Sequence, residues 1–187
     1  MAEYKELINR CISNDRRSQN ELYRELFSYL MNICVRYKLN YDDAGSALNL
    51  IFLKVLKGLK TFDDSKSFLP WVKTIAIRHL VDEYRMEKRH DTSDLTEAAT
   101  SASDWQKDSA LSKLNTDDIL AMIRKLPTTT ASVFNLHVID GFKHREIAEL
   151  LHISEGTSKW HLNHARKQLQ LFLKVETKRS ENIRIEL

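Results

Sequence analysis

The side chains best suited to chemistry are concentrated between residues 145 and 167. Hydroxyl, imidazole, ammonium and carboxylate groups recur there, without the carboxylate cluster, metal set or nucleophile and base that an enzyme needs. Such groups bond instead to DNA base edges and phosphates, so the predicted chemistry is recognition of duplex DNA. The candidate residues are Arg145, Ser154, Glu155, Thr157, Ser158, Lys159, His161, His164 and Lys167.

Residues 145–159 have the pattern of a helix-turn-helix. Ala148 is small where two helices would cross closely, and Ile147 and Leu151 would fill the wedge between them. Ser154 can cap the second helix, whose N-terminal face is then free to enter a major groove. His152 stands in the turn, where it would adopt a left-handed backbone at some cost. An ordinary helical hairpin is the alternative.

A second candidate surface combines an aromatic loop with a cationic stripe. The aromatic loop, residues 62–68, is polar and bracketed by phenylalanines, and the stripe recurs at helical spacing on the next helix. Aromatic rings beside a basic helix suit unpaired bases, which stack on such rings. The alternative is that the aromatic side chains belong to the core. The candidates are Phe62, Ser65, Lys66, Phe68 and Trp71 in and beside the loop, and Thr74, Arg78, Asp82 and Arg85 in the stripe.

The helix predicted around residue 50 has two apolar stripes, although a small bundle buries only one. Leu48 and Val55 belong to the first stripe, whereas Leu50 and Leu53 form the second, beside Lys54. Either the opening helix of the chain covers the second stripe, or the stripe docks a partner helix.

The composition predicts the elements that position these groups. Only 4 glycines and 2 prolines interrupt 187 residues, which excludes most all-β architectures because those need frequent turns. Cys11 and Cys34 are too few for a zinc or disulfide framework. The polar N-terminus does not resemble a signal peptide, and no apolar run reaches the roughly 18 residues of a membrane span. We therefore expect an all-α cytoplasmic protein without metal or cofactor.

The charge distribution divides the chain into three parts. Residues 1–90 hold 16 Lys and Arg against 12 Asp and Glu, and residues 119–187 hold 11 against 7. Residues 91–118 hold 2 against 7 and have little apolar periodicity. We predict domains at 1–90 and 115–187, joined by an acidic flexible linker at 91–114. The alternative is a solvated helix that Trp105 packs on one domain.

Apolar periodicity predicts three long helices and a short opening helix before the linker, and four helices after it. Pro127 should stop the first helix of the second domain, and Gly141 should end the second. The predicted apolar patterns lie near residues 4–11, at 22–37, 48–59 and 71–84, from 116 to Pro127, at 130–140, at 143–151, and from 154 past 171.

Together these residues resemble an extracytoplasmic-function sigma factor, the compact two-domain class of bacterial transcription initiation factor. The resemblance covers about residues 18–90, as region two, and 115–172, as region four. Its clearest stretches are residues 49–55, 67–76 and 82–89 in the first domain, and 126–127, 141–148 and 155–159 in the second.

The resemblance implies a promoter-specificity subunit of RNA polymerase that makes and breaks no bond itself. Region two would open the minus-ten promoter element with the aromatic loop and the cationic stripe. Region four would place the helix after Ser154 in the minus-thirty-five major groove, and the linker would follow the RNA exit path. An anti-sigma factor is an expected further partner. The implied contacts with a coiled coil of the largest polymerase subunit are Ala47, Asn49, Leu50, Leu53 and Lys54.

The chain departs from the family pattern at two places. Leu50 stands where relatives usually carry an acidic residue, and Trp160, His161 and His164 replace a serine and arginines on the recognition helix. The alternative function is a stand-alone helix-turn-helix regulator that binds duplex DNA as a dimer through its first bundle. Such a bundle would not need the cationic stripe of Arg78 and its neighbours beside an aromatic loop.

Overall fold

The computed structural model describes helices within residues 2–91 and 116–185, and side chains within 4–88 and 118–173. Every regular element in these ranges is helical, which confirms the all-α prediction. The chain divides into two compact units, Met1–Leu95 and Thr96–Leu187. The predicted linker at 91–114, apart from the helical Asp91, and its Trp105 lie outside the described residues, so the proposed domain limits stay predictions.

The first unit contains four α-helices and one 3-10 turn. Asp15 caps the second helix by accepting hydrogen bonds from the backbone N–H groups of Arg17 and Ser18. Asn40 caps the third helix by accepting from the Asp43 N–H group at 2.8 Å. The helices are α1 at Ala2–Ile12, α2 at Arg16–Cys34, α3 at Tyr41–Gly58 and α4 at Phe68–Asp91, with the 3-10 turn at Leu59–Thr61.

Apolar stripes at helical spacing form the core of the first unit. Leu22, Leu26 and Leu30 of α2 are fully buried together with Leu48 and Ile51 of α3. The predicted pattern at 22–37 extends too far, because α2 ends at Cys34 and Tyr37 lies beyond it. Burial raises the pKa of the Cys34 thiol to about 12, so this cysteine packs as a small apolar residue.

The second unit is built from four α-helices. The helix predicted over 130–140 is a short α-helix followed by a wider π-helical segment at Asn135–Ile139. Gly141 follows with a φ of 82°, the left-handed conformation expected at a helix end. Pro127 lies between two helices, as expected. These helices are α5 at Thr116–Arg124, α6 at Thr128–Phe134, α7 at His144–Leu151 and α8 at Glu155–Ile185.

Within the described residues, no helix is both long and apolar enough to span a bilayer. The same residues hold no group of three or more His, Cys, Asp or Glu side chains that could bind a metal ion.

Candidate nucleic-acid and polymerase interfaces

The α7–α8 pair has the geometry of a helix-turn-helix. The Lys143 N–H group donates to the Glu146 carboxylate at 2.7 Å at the start of α7. His152 adopts the expected left-handed conformation, with φ 54° and ψ 47°, and ends that helix. The Ser154 hydroxyl accepts a hydrogen bond from the Thr157 N–H group at 2.9 Å, which caps α8. Hydrogen bonds therefore fix the start of α7 and the start of α8, the two helices that the turn connects.

Two of the expected DNA contacts on α8 form hydrogen bonds with other helices of the second unit. Ser158 is fully buried, and its hydroxyl lies 2.9 Å from Nδ1 of His144, so it is a packing residue and cannot reach a groove. His161 is half-buried, with Nδ1 3.0 Å from the hydroxyl of the buried Thr130 in α6. Ser158 therefore positions α8 against α7, which corrects the expectation that it faces DNA. His161 is held by α6 but is partly exposed, so its contact with DNA stays a prediction.

The other expected residues reach the surface. Glu155, Thr157, Lys159 and Lys167 are exposed on α8, as are Arg145 of α7 and the capping Ser154, while His164 is half-buried. Arg145 lies 3.5 Å from the Glu149 carboxylate, a solvent-exposed pair that contributes little to stability.

His144 is held in its neutral form behind α8. Desolvation lowers the pKa of His144, and the neighbouring His137 adds to this effect, because both disfavour the protonated form of the His144 ring. The two imidazole rings stack with centroids 4.4 Å apart. The neutral ring of the half-buried His144 matches its short contact with Ser158, so the polar contact between α7 and α8 carries no charge near neutral pH.

The sequence interpretation named Trp160 on the recognition helix but did not include it among the candidate DNA contacts. Its side chain is 59% exposed, and its ring stacks on His164 with centroids 5.1 Å apart and planes 5° apart. An exposed tryptophan on the polar side of an amphipathic helix was the available signal. Trp160 therefore joins the residues that α8 presents outward.

In the first unit, the aromatic loop packs onto α4. Ring centroids lie 5.4 Å apart for Phe62 and Phe68, and 4.8 Å apart for Phe62 and Trp71. Phe68 is mostly buried, whereas Phe62 and Trp71 are half-buried, so Phe68 packs in the core and offers only one edge to the surface beside the loop. Ser65 and Lys66 are exposed in the loop.

A cavity of about 510 Å³ opens beside these rings, between α1 and the aromatic loop. Lys5 of α1 forms a 2.8 Å ion pair with Asp64 of the loop at its rim. Tyr4 lies against Phe68, with ring centroids 5.0 Å apart. The lining includes Ile8, Phe62, Lys66, Phe68 and Pro70. Its mixture of apolar and basic groups suits a planar base attached to a phosphate chain.

Gly58 gives a direct test of this packing, because a Cβ there would lie 3.0 Å from the Trp71 ring. We expect Gly58→Ala to displace the ring and destabilise the protein by about 1–3 kcal/mol. Gly45→Ala in the same helix meets nothing within 4 Å, so it should stabilise by about 0.5–1 kcal/mol. Urea unfolding of both variants measures this contrast, and equal stabilisation by the two would contradict the packing.

The cationic stripe runs along the surface of α4. Arg78 and Asp82 are exposed, and Arg85 is half-buried with a guanidinium nitrogen 3.4 Å from Asp82. The hydroxyl of the half-buried Thr74 donates to the Pro70 carbonyl at 2.9 Å. The spacing therefore places one exposed guanidinium, that of Arg78, between the aromatic loop and the Asp82–Arg85 pair.

The second apolar stripe of α3 is open to solvent. Leu50 is 47% exposed and Leu53 is 51% exposed, and we call this pair the docking face. The alternative that the opening helix covers it is wrong, because α1 packs against α2 and the 3-10 turn. Ala47 is buried, so it supports the helix and cannot touch a partner as expected. Asn49 is exposed and accepts a hydrogen bond from the Tyr23 hydroxyl at 2.9 Å.

Lys54 joins the docking face to α4 through a network that the sequence did not reveal. Its ammonium donates to Nδ1 of His79 at 2.9 Å, so Nε2 of that ring carries the proton and faces Glu83 at 3.5 Å. Lys38 lies between Glu83 and Glu87 at 3.1 and 3.0 Å. Burial opposes the Lys38 charge, but the two carboxylates outweigh it and raise the pKa of Lys38.

This network predicts a pH dependence for the first unit. Desolvation lowers the pKa of His79, and Lys54 and Lys38 add to the effect although Glu83 opposes it. A depressed folded-state pKa stabilises the fold above the ordinary histidine pKa of about 6.5, and this stability is lost as pH falls through the folded-state pKa. We expect His79→Gln to flatten the decline in unfolding free energy between about pH 7.5 and 5.5, measured by denaturant titration. A steeper decline in the variant would contradict this sign.

Comparison with known families matches both units. Residues 22–90 match the family model for sigma-70 region 2, and residues 116–169 match the model for sigma-70, region 4. The helix-turn-helix lies in the second match, and the docking face, aromatic loop and cationic stripe lie in the first. The chain is therefore a sigma factor, a promoter-specificity subunit of bacterial RNA polymerase that directs transcription initiation.

Two curated relatives indicate which class of sigma factor the chain represents. The chain is 27% identical to "RNA polymerase sigma factor YlaC" of Bacillus subtilis (strain 168) over 173 residues, 91% of this chain and 98% of that protein. It is 25% identical to "ECF RNA polymerase sigma factor SigW" of the same organism over 151 residues, 75% and 81% of the two chains. The chain belongs to the extracytoplasmic-function sigma factor family.

A solved structure shares the fold. The sigma factor RpoE, crystallised with the anti-sigma factor NepR from Bartonella quintana, is similar with a TM-score of 0.55 at 19% identity. The similarity covers 83% of this chain and 98% of that one. The helical architecture is thus shared with a sigma factor of distant sequence.

Proposed function

We propose that residues 1–90 bind core RNA polymerase through the docking face of α3. Two exposed leucines on one helical face, next to the exposed Lys54, are the observation that carries this assignment. Exposed apolar pairs of this kind suit a helical partner, here a coiled coil of the largest polymerase subunit. Leu50, Leu53, Asn49 and Lys54 are the proposed contacts, and the buried Ala47 keeps the helix packed.

The same unit is proposed to open the minus-ten element. The cavity beside the aromatic loop would hold a base extracted from the duplex, with Phe62 and Lys66 in its lining and Trp71 packed against the Phe62 ring. Extracting a base costs a few kcal/mol, so a preformed cavity and nearby cations are needed. Thr74, Arg78, Asp82 and Arg85 would then hold the non-template strand along α4, and Ser65 would contact the strand from the loop.

Residues 115–187 are proposed to bind the minus-thirty-five element. The exposed N-terminal part of α8 would enter the major groove, as the second helix of such motifs does. Lys159 and Lys167 would contact phosphates, with Arg145 and the α8 N-terminus beside them. Glu155, Thr157 and His164 are the proposed base or backbone contacts, and the linker at 91–114 would lie in the RNA exit path.

We further propose that the protein works in the cytoplasm, is not itself an enzyme, and is held inactive by an anti-sigma factor. A sigma subunit acts where the polymerase and the chromosome are. The support for an inhibitor is the fold shared with RpoE, which is solved together with an anti-sigma factor. The stand-alone dimeric regulator is not favoured, because both region-two and region-four models match in order.

The decisive experiment is co-migration with purified bacterial core RNA polymerase on a sizing column, with a housekeeping sigma factor as competitor. We expect stoichiometric binding that the competitor abolishes. Retention of duplex DNA without any polymerase binding would instead support the stand-alone regulator and remove every contact proposed for the first unit.

A further inference from the structure

Trp160 is the large apolar side chain that α8 turns most directly away from its own core. At about 100° per residue, it lies roughly 160° around the helix from Ser158 and from Leu162, which are both buried. It is the sixth residue of α8, within the N-terminal part that a groove would receive. The Trp160 side chain therefore does not contribute to the core of the second unit.

The indole ring is held in place by two imidazoles. His164, one turn along the helix, stacks on it with planes 5° apart, and His161 meets it edge-on with centroids 4.9 Å apart. His161 is itself anchored to Thr130 on α6. A rigid ring loses little conformational entropy on contact, so the surface is organised before any ligand arrives.

We propose that Trp160 is a specificity-determining residue that selects thymine in the major groove of the minus-thirty-five element. This inference rests on the proposed function of region four. The thymine methyl is the apolar group that the major groove presents, and the neighbouring O4 accepts a hydrogen bond. The indole N–H group is a donor without acceptor capacity, so it complements O4 and not the N4 amino group of cytosine.

Two lysines near Trp160 are positioned to bind the DNA backbone on either side of the groove. Lys159 precedes Trp160 and Lys167 lies two turns beyond it, and both are exposed. Their ammonium groups can reach the phosphates on either side of a groove while the ring lies against the base edges. Asn163 is also exposed and, at three residues from Trp160, lies about 60° around α8 from it.

The test uses the full chain bound to core polymerase. A randomised duplex pool is first selected with the wild-type complex to obtain its preferred minus-thirty-five sequence. Each thymine in that sequence is then replaced by deoxyuridine, which lacks only the methyl group, and dissociation constants are measured. We expect about three- to fivefold weaker binding at one or two of these positions for the wild-type protein.

The variants identify the side chain responsible. Trp160→Ala should bind the selected duplex about tenfold more weakly and should no longer distinguish thymine from deoxyuridine. Trp160→Phe keeps an aromatic face and should retain the discrimination. Leu171→Ala is the matched control, because Leu171 lies on the same side of α8 and is 54% exposed, about 16 Å further along the helix.

The possible results distinguish a failure of the role proposed for Trp160 from a failure of minus-thirty-five recognition as a whole. A selected sequence whose thymine methyls do not matter, or matter equally in Trp160→Ala, overturns the role of Trp160 while leaving minus-thirty-five recognition intact. A pool from which the wild-type complex selects no sequence overturns both. Equal losses in Leu171→Ala and Trp160→Ala would also overturn the proposal, because the effect would then belong to general apolar exposure.

Discussion

Replacement of Leu50 by aspartate should weaken binding to core polymerase by about 30-fold or more while the protein stays folded. Leu50 is nearly half exposed, so an aspartate there remains solvated in the free protein. In the complex, the same carboxylate would be buried against an apolar partner surface, where truncating or charging a central anchor typically costs 2 kcal/mol or more. Leu53→Asp should have an effect of the same size, because the two side chains form one face.

The matched control is Leu39→Asp, since Leu39 is an exposed leucine of the same unit that precedes α3. Dissociation constants from competition against a labelled housekeeping sigma factor give the comparison, and far-ultraviolet circular dichroism reports folding. If Leu50→Asp binds as tightly as the wild type while Leu53→Asp does not, the position accepts the acid that relatives usually carry there. Unchanged binding in both variants would contradict the docking face.

The helix-turn-helix could be predicted from the sequence in unusual detail. The small Ala148, the capping Ser154 and even the left-handed backbone at His152 follow from local chemistry, because each depends on residues within one or two turns. Local hydrogen bonds and helical periodicity are properties that a single sequence displays directly.

The direction of individual side chains could not be predicted in the same way. Ser158 is polar and one position from Lys159, yet it is buried because His144, 14 residues earlier, supplies its hydrogen bond. Ala47 is buried although Leu50, three residues later on α3, is exposed. The buried and exposed faces of this helix lie close together around its axis, so periodicity alone does not separate the two residues. Contacts between residues that are distant in sequence decide which of these side chains are buried, and helical periodicity alone does not predict such contacts.

The same limitation hid the network around His79. Lys54 lies on α3, His79 and Glu83 lie on α4, and Lys38 lies in the segment between α2 and α3. Only the packed bundle brings Lys54 within hydrogen-bonding distance of His79, and Lys38 within ion-pair distance of Glu83. The result is a chain of polar contacts between the docking helix and the helix that carries the cationic stripe. The polymerase contact proposed for α3 and the DNA contact proposed for α4 thus lie on helices that the Lys54–His79 hydrogen bond joins.

Replacement of Arg78 by alanine should slow promoter opening about tenfold or more while closed-complex affinity falls less than about threefold. Arg78 is exposed on α4 between the aromatic loop and the Asp82–Arg85 pair. A guanidinium there would meet the unpaired strand, and a cation–π contact with a base contributes about 0.5–1 kcal/mol when exposed and about 2 kcal/mol when desolvated. In the proposed function, region four supplies most of the contacts with the duplex of the closed complex, so closed-complex affinity should fall much less.

Permanganate reactivity of unpaired thymines gives the opening rate, and filter binding at low temperature gives the affinity of the closed complex. Arg24→Ala is the charge-matched control, because it removes an exposed arginine from α2 of the same unit. On a promoter with a pre-melted minus-ten segment, the defect of Arg78→Ala should shrink, because part of the opening cost is then removed from the reaction. Equal losses in closed binding and opening would show that Arg78 contributes general electrostatic attraction, and the strand-holding role of the cationic stripe would fail.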